Sequence, residues 1–210
     1  MQQGFNLIYK KLYSHFGPQY WWPAQTSFEV IVGAILTQNT NWLNVEKAIN
    51  NLKKYNLLAP DKLYKLSHRR LAVLIRPAGY YNIKAKRLKS FLKFFIRHYH
   101  GNTRNMSSVN TNSLRQQLLS LKGIGPETAD SILLYALARP VFVVDAYTKR
   151  ILLRHRLIPD DADYHETQNL FMRNLKSEVK LFNEYHALLV KLGKEFCLKN
   201  KPKCAICPLK

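Results

Sequence analysis

The sequence has 210 residues, of which 47% are hydrophobic, and its 33 Lys and Arg against 13 Asp and Glu give a formal net charge of +20. This is the composition of a globular protein with a substantial core. The charge predicts nucleic acid as a polyanionic partner, because each Lys or Arg that meets a phosphate releases condensed counterions; the alternatives are a basic protein that merely stays soluble and a ribosomal component. No apolar run reaches the roughly 18 residues that span a bilayer and the N-terminus lacks a signal-peptide pattern, so we expect no membrane partner and an intracellular protein, in the cytoplasm or nucleoid if the source is prokaryotic.

Nearly every segment of the chain has the pattern of a helix. The run Ser27–Leu36 is too apolar for a surface helix and predicts one that crosses the centre of a lobe. It ends in a polar stretch, T-Q-N-T-N-W, over residues 37–42. Residues 82–98 alternate Lys and Arg with apolar residues, which predicts a basic amphipathic helix. Further helices are predicted over 45–52, 112–120, 126–137, 146–157 and 167–192, and the strand-like run 141–144 is too short for a sheet, so the predicted fold class is all-α.

Two glycines lie in the turn between the helices predicted to end near residue 120 and to begin near Pro126. The motif is L-K-G-I-G-P, with Gly123 and Gly125 flanking Ile124. Glycine allows φ > 0 and lets a phosphate approach bare backbone N–H groups, and the N-terminal end of the next helix attracts the same anion. The sequence therefore predicts a phosphate-binding hairpin, although a plain turn between two helices would also account for the pattern.

Asp145 ends the apolar run V-F-V-V and directly precedes a predicted helix. Asp is a favoured helix N-cap, and this structural role alone would explain it. The same position keeps a carboxylate ionised beside the positive end of the helix. An ionised carboxylate near a hairpin that binds phosphate could stabilise a cationic sugar or activate a water molecule, as carboxylates do in glycoside hydrolysis.

The hairpin, followed about twenty residues later by V-V-D, resembles the helix-hairpin-helix DNA glycosylases of the endonuclease III superfamily. Two further segments extend the resemblance over nearly the whole chain: F-E-V-I-V-G-A-I-L-T-Q-N-T, residues 28–40, and I-R-P-A-G-Y-Y-N-I-K-A, residues 75–85. The resemblance implies that Asp145 is the catalytic aspartate. It also implies double-stranded DNA as the partner, bound across the cleft between two lobes with a damaged nucleotide flipped out of the helix.

The resemblance implies two α-helical lobes, and we expect a monomer. We place the first lobe, a six-helix barrel that includes the hairpin at 121–125, at residues 24–137. The second helical lobe combines residues 1–23 with residues 138–210 and ends in a cysteine loop.

Glu127 stands where relatives that also cut the DNA backbone carry a lysine. The lysine amine forms a Schiff base with the sugar, which a carboxylate cannot do. Lys122 and Lys149 are near in sequence but match no catalytic position. The adenine-mismatch branch carries a catalytic glutamate where this chain has Ala34. The resemblance therefore implies a monofunctional glycosylase that uses water, without AP-lyase activity.

Three tryptophans are candidates for the base pocket, although core packing is an equal alternative for them. Trp21 and Trp22 precede the first barrel helix, and Trp42 ends the polar loop after it. Stacked indoles suit a cationic base through cation–π attraction, and W-W-P with T-Q-N-T resembles the 3-methyladenine glycosylase branch. Gln38 or Asn39 would fill the gap that the flipped base leaves, unless the two residues only cap the loop.

Three cysteines end the chain. Cys197, Cys204 and Cys207 match the first three ligands of the family's [4Fe–4S] loop, and the fourth would fall beyond Lys210. Their spacing alone would also allow zinc. The resemblance therefore implies an iron–sulfur cofactor whose fourth ligand is absent from this chain.

The leading hypothesis is thus a base-excision repair enzyme that removes alkylated purines such as 3-methyladenine. One alternative is an endonuclease III-like glycosylase for mispaired thymine or uracil, or for oxidised pyrimidines. Another is a helix-hairpin-helix module that binds DNA without catalysis, against which the match of Asp145 speaks.

Overall fold

The computed structural model describes residues 2–22 and 24–210, and every regular element in them is helical, which confirms the all-α class. The chain forms two compact units, Ala24–Leu137 and Met1–Pro23 with Ala138–Lys210. None of the described helices is long and apolar enough to cross a bilayer. In chain order the helices are α1 (Gln2–Phe16), α2 (Ser27–Leu36), α3 (Trp42–Lys54), α4 (Pro60–Lys65), α5 (His68–Leu74), α6 (Tyr81–Tyr99), α7 (Thr103–Ser107), α8 (Thr111–Leu119), α9 (Pro126–Ser131), α10 (Ala146–Arg154), α11 (Tyr164–Asn174) and α12 (Val179–Glu195).

Helix α2 is the centre of the unit Ala24–Leu137, as the sequence predicts. The hydroxyl of Thr26 accepts the Glu29 backbone N–H at 3.1 Å and caps the helix. Every residue of α2 after Ser27 is buried, and the helix packs against α3, α6 and α9. The one acid in it, Glu29, pairs with Lys53 Nζ of α3 at 2.7 Å, so its burial leaves no charge without a partner.

Lys84 ties the end of α2 to the basic helix α6. Its side chain is only 1% exposed, unlike the other cations of α6, and its ammonium donates to the carbonyls of Leu36 at 2.8 Å and Ala78 at 2.7 Å. Burial, together with the nearby charge of Arg87, lowers the pKa of Lys84 to about 8. The polar loop that follows Leu36 therefore starts from a fixed point.

The other unit has an aromatic core around the residues that precede α10. The rings of Phe142 and Phe171 stack with their centres 3.8 Å apart, and Tyr185 packs edge-on against both. The strand-like run 141–144 is buried and lies outside any strand or helix. It leads from the end of the first unit to the first residue of α10.

The structure corrects two of the predicted helices. The single helix predicted over 167–192 is two, α11 and α12, because Leu175 takes an extended conformation (φ −122°, ψ 154°) before the polar residues 176–178. The helix predicted over 126–137 is α only as far as Ser131, and Ile132–Ala136 form a π-helical turn.

Candidate active site

The hairpin lies between α8 and α9, and its two glycines have different roles. Gly123 has φ +91°, and a Cβ atom on it would come within 2.6 Å of the Arg87 side chain. Gly125 has φ −92° and ψ 177°, which any residue can adopt, and a Cβ atom there would meet nothing within 4 Å. Positive φ is thus needed at Gly123 and not at Gly125, so the fold itself explains only the first glycine.

A buried ion pair joins the two helices of the hairpin. Arg115 of α8 donates from Nε and Nη2 to the two carboxylate oxygens of Asp130 in α9, at 2.6 and 2.9 Å. Asp130 is fully buried, and the paired, two-point geometry is the one that favours Arg with a carboxylate. The Arg115–Asp130 ion pair therefore fixes the two helices on either side of the turn relative to each other.

Gln38 connects the loop after α2 to this hairpin. Its Nε2 donates to Gly123 O and to Thr128 Oγ1, both at 2.9 Å, and its Oε1 accepts from Arg87. Asn39 is exposed, with φ +53°. Of the two residues predicted to fill the gap of a flipped base, Gln38 has its side chain engaged in the unit, whereas that of Asn39 faces solvent.

Asp145 is the N-cap of α10. One oxygen, Oδ1, accepts the Thr148 backbone N–H at 2.7 Å, and the other, Oδ2, lies 3.6 Å from Nε2 of His186 in α12. The Asp145 side chain is 11% exposed and that of His186 is 7% exposed. The carboxylate is therefore enclosed and faces a basic ring.

The surroundings of Asp145 keep it ionised. Burial alone would raise the pKa of this carboxyl, but the nearby basic ring of His186 and the hydrogen bond from the Thr148 backbone N–H outweigh burial and hold the pKa below its ordinary value. His186 was not predicted from the sequence. It sits in the apolar run Y-H-A-L-L-V, where a histidine reads as part of the core.

The residue that follows the hairpin proline is an exposed acid. Glu127 occupies the second position of α9. Two lysines are near the hairpin and Asp145 in sequence. Lys122 is exposed, and the ammonium of Lys149 donates a hydrogen bond to Ala162 O at 2.6 Å.

The structure brings Trp21 and Trp22 together, with ring centres 6.1 Å apart and an interplanar angle of 83°. Nε1 of Trp21 is buried and has no hydrogen-bond partner among the described residues. The ammonium of Lys194 lies 5.8 Å from the centre of the Trp21 ring. Trp42 belongs to the unit Ala24–Leu137, where it is half-buried at the start of α3.

The three cysteines do not form a metal site. In the part of the chain that the structure describes, no group of three or more His, Cys, Asp or Glu side chains could hold a metal ion. Cys197 is buried with its Sγ 3.2 Å from Nη1 of Arg154, a cation, whereas Cys204 is exposed and Cys207 half-buried. As they lie, Cys197, Cys204 and Cys207 do not fit the predicted iron–sulfur cluster, and the chemistry proposed below uses none.

Arginines of α10 hold the loop that carries these cysteines. Arg150 Nε donates to Cys197 O at 2.8 Å, and Arg154 donates to Leu198 O at 2.6 Å and to Lys199 O at 2.9 Å. The backbone of the cysteine loop is thus fixed by protein hydrogen bonds.

The sequence is similar to those of several DNA repair enzymes. It is 53% identical over 205 residues to a candidate DNA repair glycosylase of Methanocaldococcus jannaschii, covering 97% of this chain and 92% of that protein. It is 28% identical over 183 residues to endonuclease III of Thermotoga maritima, covering 87% of this chain and 80% of that protein.

Solved structures extend the comparison. The crystal structure of Helicobacter pylori 3-methyladenine DNA glycosylase bound to 1,N6-ethenoadenine matches with a TM-score of 0.79 at 31% identity, over 91% of this chain and 97% of that one. A non-covalent endonuclease III–DNA complex matches with a TM-score of 0.84 at 21% identity, over 100% of this chain and 93% of that one, and so shares its fold. The family model for HhH-GPD superfamily base excision DNA repair proteins matches residues 32–177. The chain therefore belongs to the HhH-GPD superfamily of base excision DNA repair proteins, as the sequence motifs predict.

Proposed function

We propose that the protein is a monofunctional DNA glycosylase that hydrolyses the N-glycosidic bond of an alkylated purine, such as 3-methyladenine, in double-stranded DNA. The observation that carries this proposal is the enclosed, ionised carboxylate of Asp145, which accepts the Thr148 backbone N–H and faces His186. Capping alone does not require this enclosure, because Asp163 caps α11 with a bond of the same length, 2.7 Å, while it is exposed.

In this proposal Asp145 stabilises the sugar as the bond between C1′ and the base breaks. The bonding electron pair leaves with the base, positive charge develops on the sugar, and the carboxylate opposes that charge without any rearrangement of its own. Water then adds to C1′, and its proton passes to the solvent or to the released base. The N-cap bond to Oδ1 fixes the direction of the side chain, so Oδ2, the oxygen 3.6 Å from His186 Nε2, is the one that would face the sugar.

Glu127 supports the water-using form of the reaction. It occupies the second position of α9, where the resemblance places the lysine of relatives that form a Schiff base, and its carboxylate cannot form one. Lys149 already donates to Ala162 O. We therefore propose that the product is an intact abasic site.

The alkylated purine is proposed from the tryptophan pair and from the relative of known structure. The crossed rings of Trp21 and Trp22 present an aromatic surface, and the buried Nε1 of Trp21 is a donor without a partner among the described residues. A cationic base is attracted to indole faces by about 0.5–2 kcal/mol. The H. pylori relative, at 31% identity, is a 3-methyladenine glycosylase.

The hairpin is proposed to hold a DNA phosphate. A Cβ atom on Gly125 would meet nothing within 4 Å, and the φ and ψ of Gly125 suit any residue, so the protein itself does not require glycine there. A ligand that approaches the backbone from outside would require one. A phosphate contact of this kind fixes the register of the DNA and reads no base.

A panel of duplexes, each with a single lesion, tests the proposal. The panel includes 3-methyladenine, 1,N6-ethenoadenine, thymine and uracil opposite guanine, and an oxidised pyrimidine, with hot alkali used afterwards to cut at abasic sites. We expect release of the alkylated purines, and strand cutting only after alkali. Release confined to mispaired or oxidised pyrimidines would replace the proposed substrate by that of the endonuclease III-like alternative. Release of no base from any duplex, with DNA binding intact, would favour a non-catalytic module.

A further inference from the structure

A second basic site lies beside the hairpin in the unit Ala24–Leu137. Helix α6 and the end of α8 border a groove of about 660 Å³, which we call the flank groove. Lys93 and Arg97 line it from α6, Gln117 lines it from α8, and Ser120 lines it from the residue that follows α8. Leu121, the second residue after α8 in the turn to α9, belongs to the same lining, so the flank groove reaches the hairpin itself.

The positive charge of the flank groove is uncompensated. Every Asp and Glu is missing from the sequence between Asp61 and Glu127, so neither α6 nor α8 carries a carboxylate. Lys93 and Arg97 are both exposed, and neither takes part in an ion pair with any described residue. Of the two acids of α9, Asp130 is fully buried and bound by Arg115, and the exposed Glu127 does not line the flank groove. A cluster of exposed cations without acidic partners on one face indicates a binding site for a polyanion.

The spacing of the cations along α6 suits a DNA strand. The side chain of Arg87 lies against Gly123 in the hairpin turn. From Arg87 to Arg97 the helix rises about 15 Å at about 1.5 Å per residue. Phosphates of one strand follow one another at about 3.4 Å of duplex axis, so this distance corresponds to about four base pairs. A strand fixed at the hairpin can thus meet Lys93 and Arg97 with its flanking phosphates.

We propose that the flank groove binds phosphates of the duplex that the hairpin holds, about four base pairs from the hairpin contact. The proposal rests on DNA being the substrate of the proposed function, and it names a separate part of the interface. Lys and Arg supply the charge, and Gln117 and the hydroxyl of Ser90 add neutral donors. Such contacts are independent of sequence and of the lesion.

The test is the salt dependence of DNA binding by Lys93→Gln/Arg97→Gln. The probe is a duplex of two to three helical turns with a tetrahydrofuran abasic analogue at its centre, followed by fluorescence anisotropy. Loss of two phosphate contacts should lower the slope of log K against log salt by about 1.8, at about 0.9 per contact. The affinity at 0.1 M salt should fall on the order of tenfold or more. Lys47→Gln/Lys54→Gln is the matched control, because it removes the same charge from exposed positions of α3.

Shortening the duplex from one end and then from the other gives a second readout. Once the duplex no longer reaches the flank groove on one side, wild type and Lys93→Gln/Arg97→Gln should bind equally. The proposal would be overturned if the two double variants gave equal slopes of log K against log salt on the long duplex while the wild type bound normally. It would also be overturned if no shortening of the duplex removed the difference between wild type and Lys93→Gln/Arg97→Gln. These measurements do not depend on base release, so they test the flank groove independently of the catalytic proposal. If the wild type binds DNA through the flank groove but releases no base, only the catalytic proposal is refuted.

Discussion

Replacing Asp145 by Asn removes one charge from the proposed site and leaves most of its geometry. The amide oxygen of Asn can accept the Thr148 backbone N–H that Oδ1 accepts at 2.7 Å. Asn is as good an N-cap as Asp, so we expect the free energy of unfolding to change by no more than about 1 kcal/mol. What disappears is the carboxylate that His186 faces at 3.6 Å.

The size of the expected loss follows from that charge. A principal electrostatic stabiliser of a transition state is worth about 2.7–4 kcal/mol, which corresponds to about 10²–10³ in rate. Asp145 is enclosed, at 11% exposure, and water therefore screens it little. We expect Asp145→Asn to release base at least about a hundredfold more slowly than wild type, with unchanged binding to duplex DNA.

Single-turnover base release from a duplex with the preferred lesion measures this loss, with Tm and DNA affinity measured on the same preparation. Asp163→Asn is the matched control. Asp163 is the N-cap of α11 and accepts the Glu166 backbone N–H at 2.7 Å, the same bond length, but it is exposed. Near-normal release by Asp145→Asn, or an equal loss in Asp163→Asn, would refute the catalytic role of Asp145.

Three further substitutions test the neighbouring residues. His186→Gln removes the ring that lowers the pKa of Asp145, so burial should then raise this pKa. The acid limb of the pH–rate profile should therefore move to higher pH, and an unmoved limb would contradict the role of His186. Gly125→Ala should keep the wild-type Tm but weaken binding to all duplexes equally, and a binding loss limited to one lesion would instead place Gly125 in base recognition. Gly123→Ala should lower the Tm, because Gly123 has a positive φ. Wild type should give no borohydride-trapped adduct with DNA and Glu127→Lys at least weak trapping, and strong trapping by wild type would refute the water-using mechanism.

Where a local pattern determined the structure, the sequence was a sufficient guide. The bounds of α2 agree with the apolar run Ser27–Leu36, because a helix buried on all sides needs apolar residues at every position. Asp145 is the N-cap of α10, as its place before a helix indicates. The family also follows from local motifs, the hairpin and V-V-D.

The contacts that the sequence did not reveal join residues far apart in the chain. His186 faces Asp145 only because α12 packs on α10. Gln38 donates a hydrogen bond to Gly123, 85 residues later in the chain, and nothing in its polar loop indicates this partner. The spacing of the cysteines suggests a shared metal ligand, but the described residues contain no group of side chains that could hold a metal ion.

The bonds of Gln38 make the loop after α2 and the hairpin move as one body. Gln38 holds Gly123 and Thr128 at once, and Lys84 fixes the start of the same loop. Under the proposed function, a step of the hairpin from one phosphate to the next would carry Asn39 forward by one nucleotide. The hydrogen bonds of Gln38 thus link the position of the loop to that of the proposed phosphate contact.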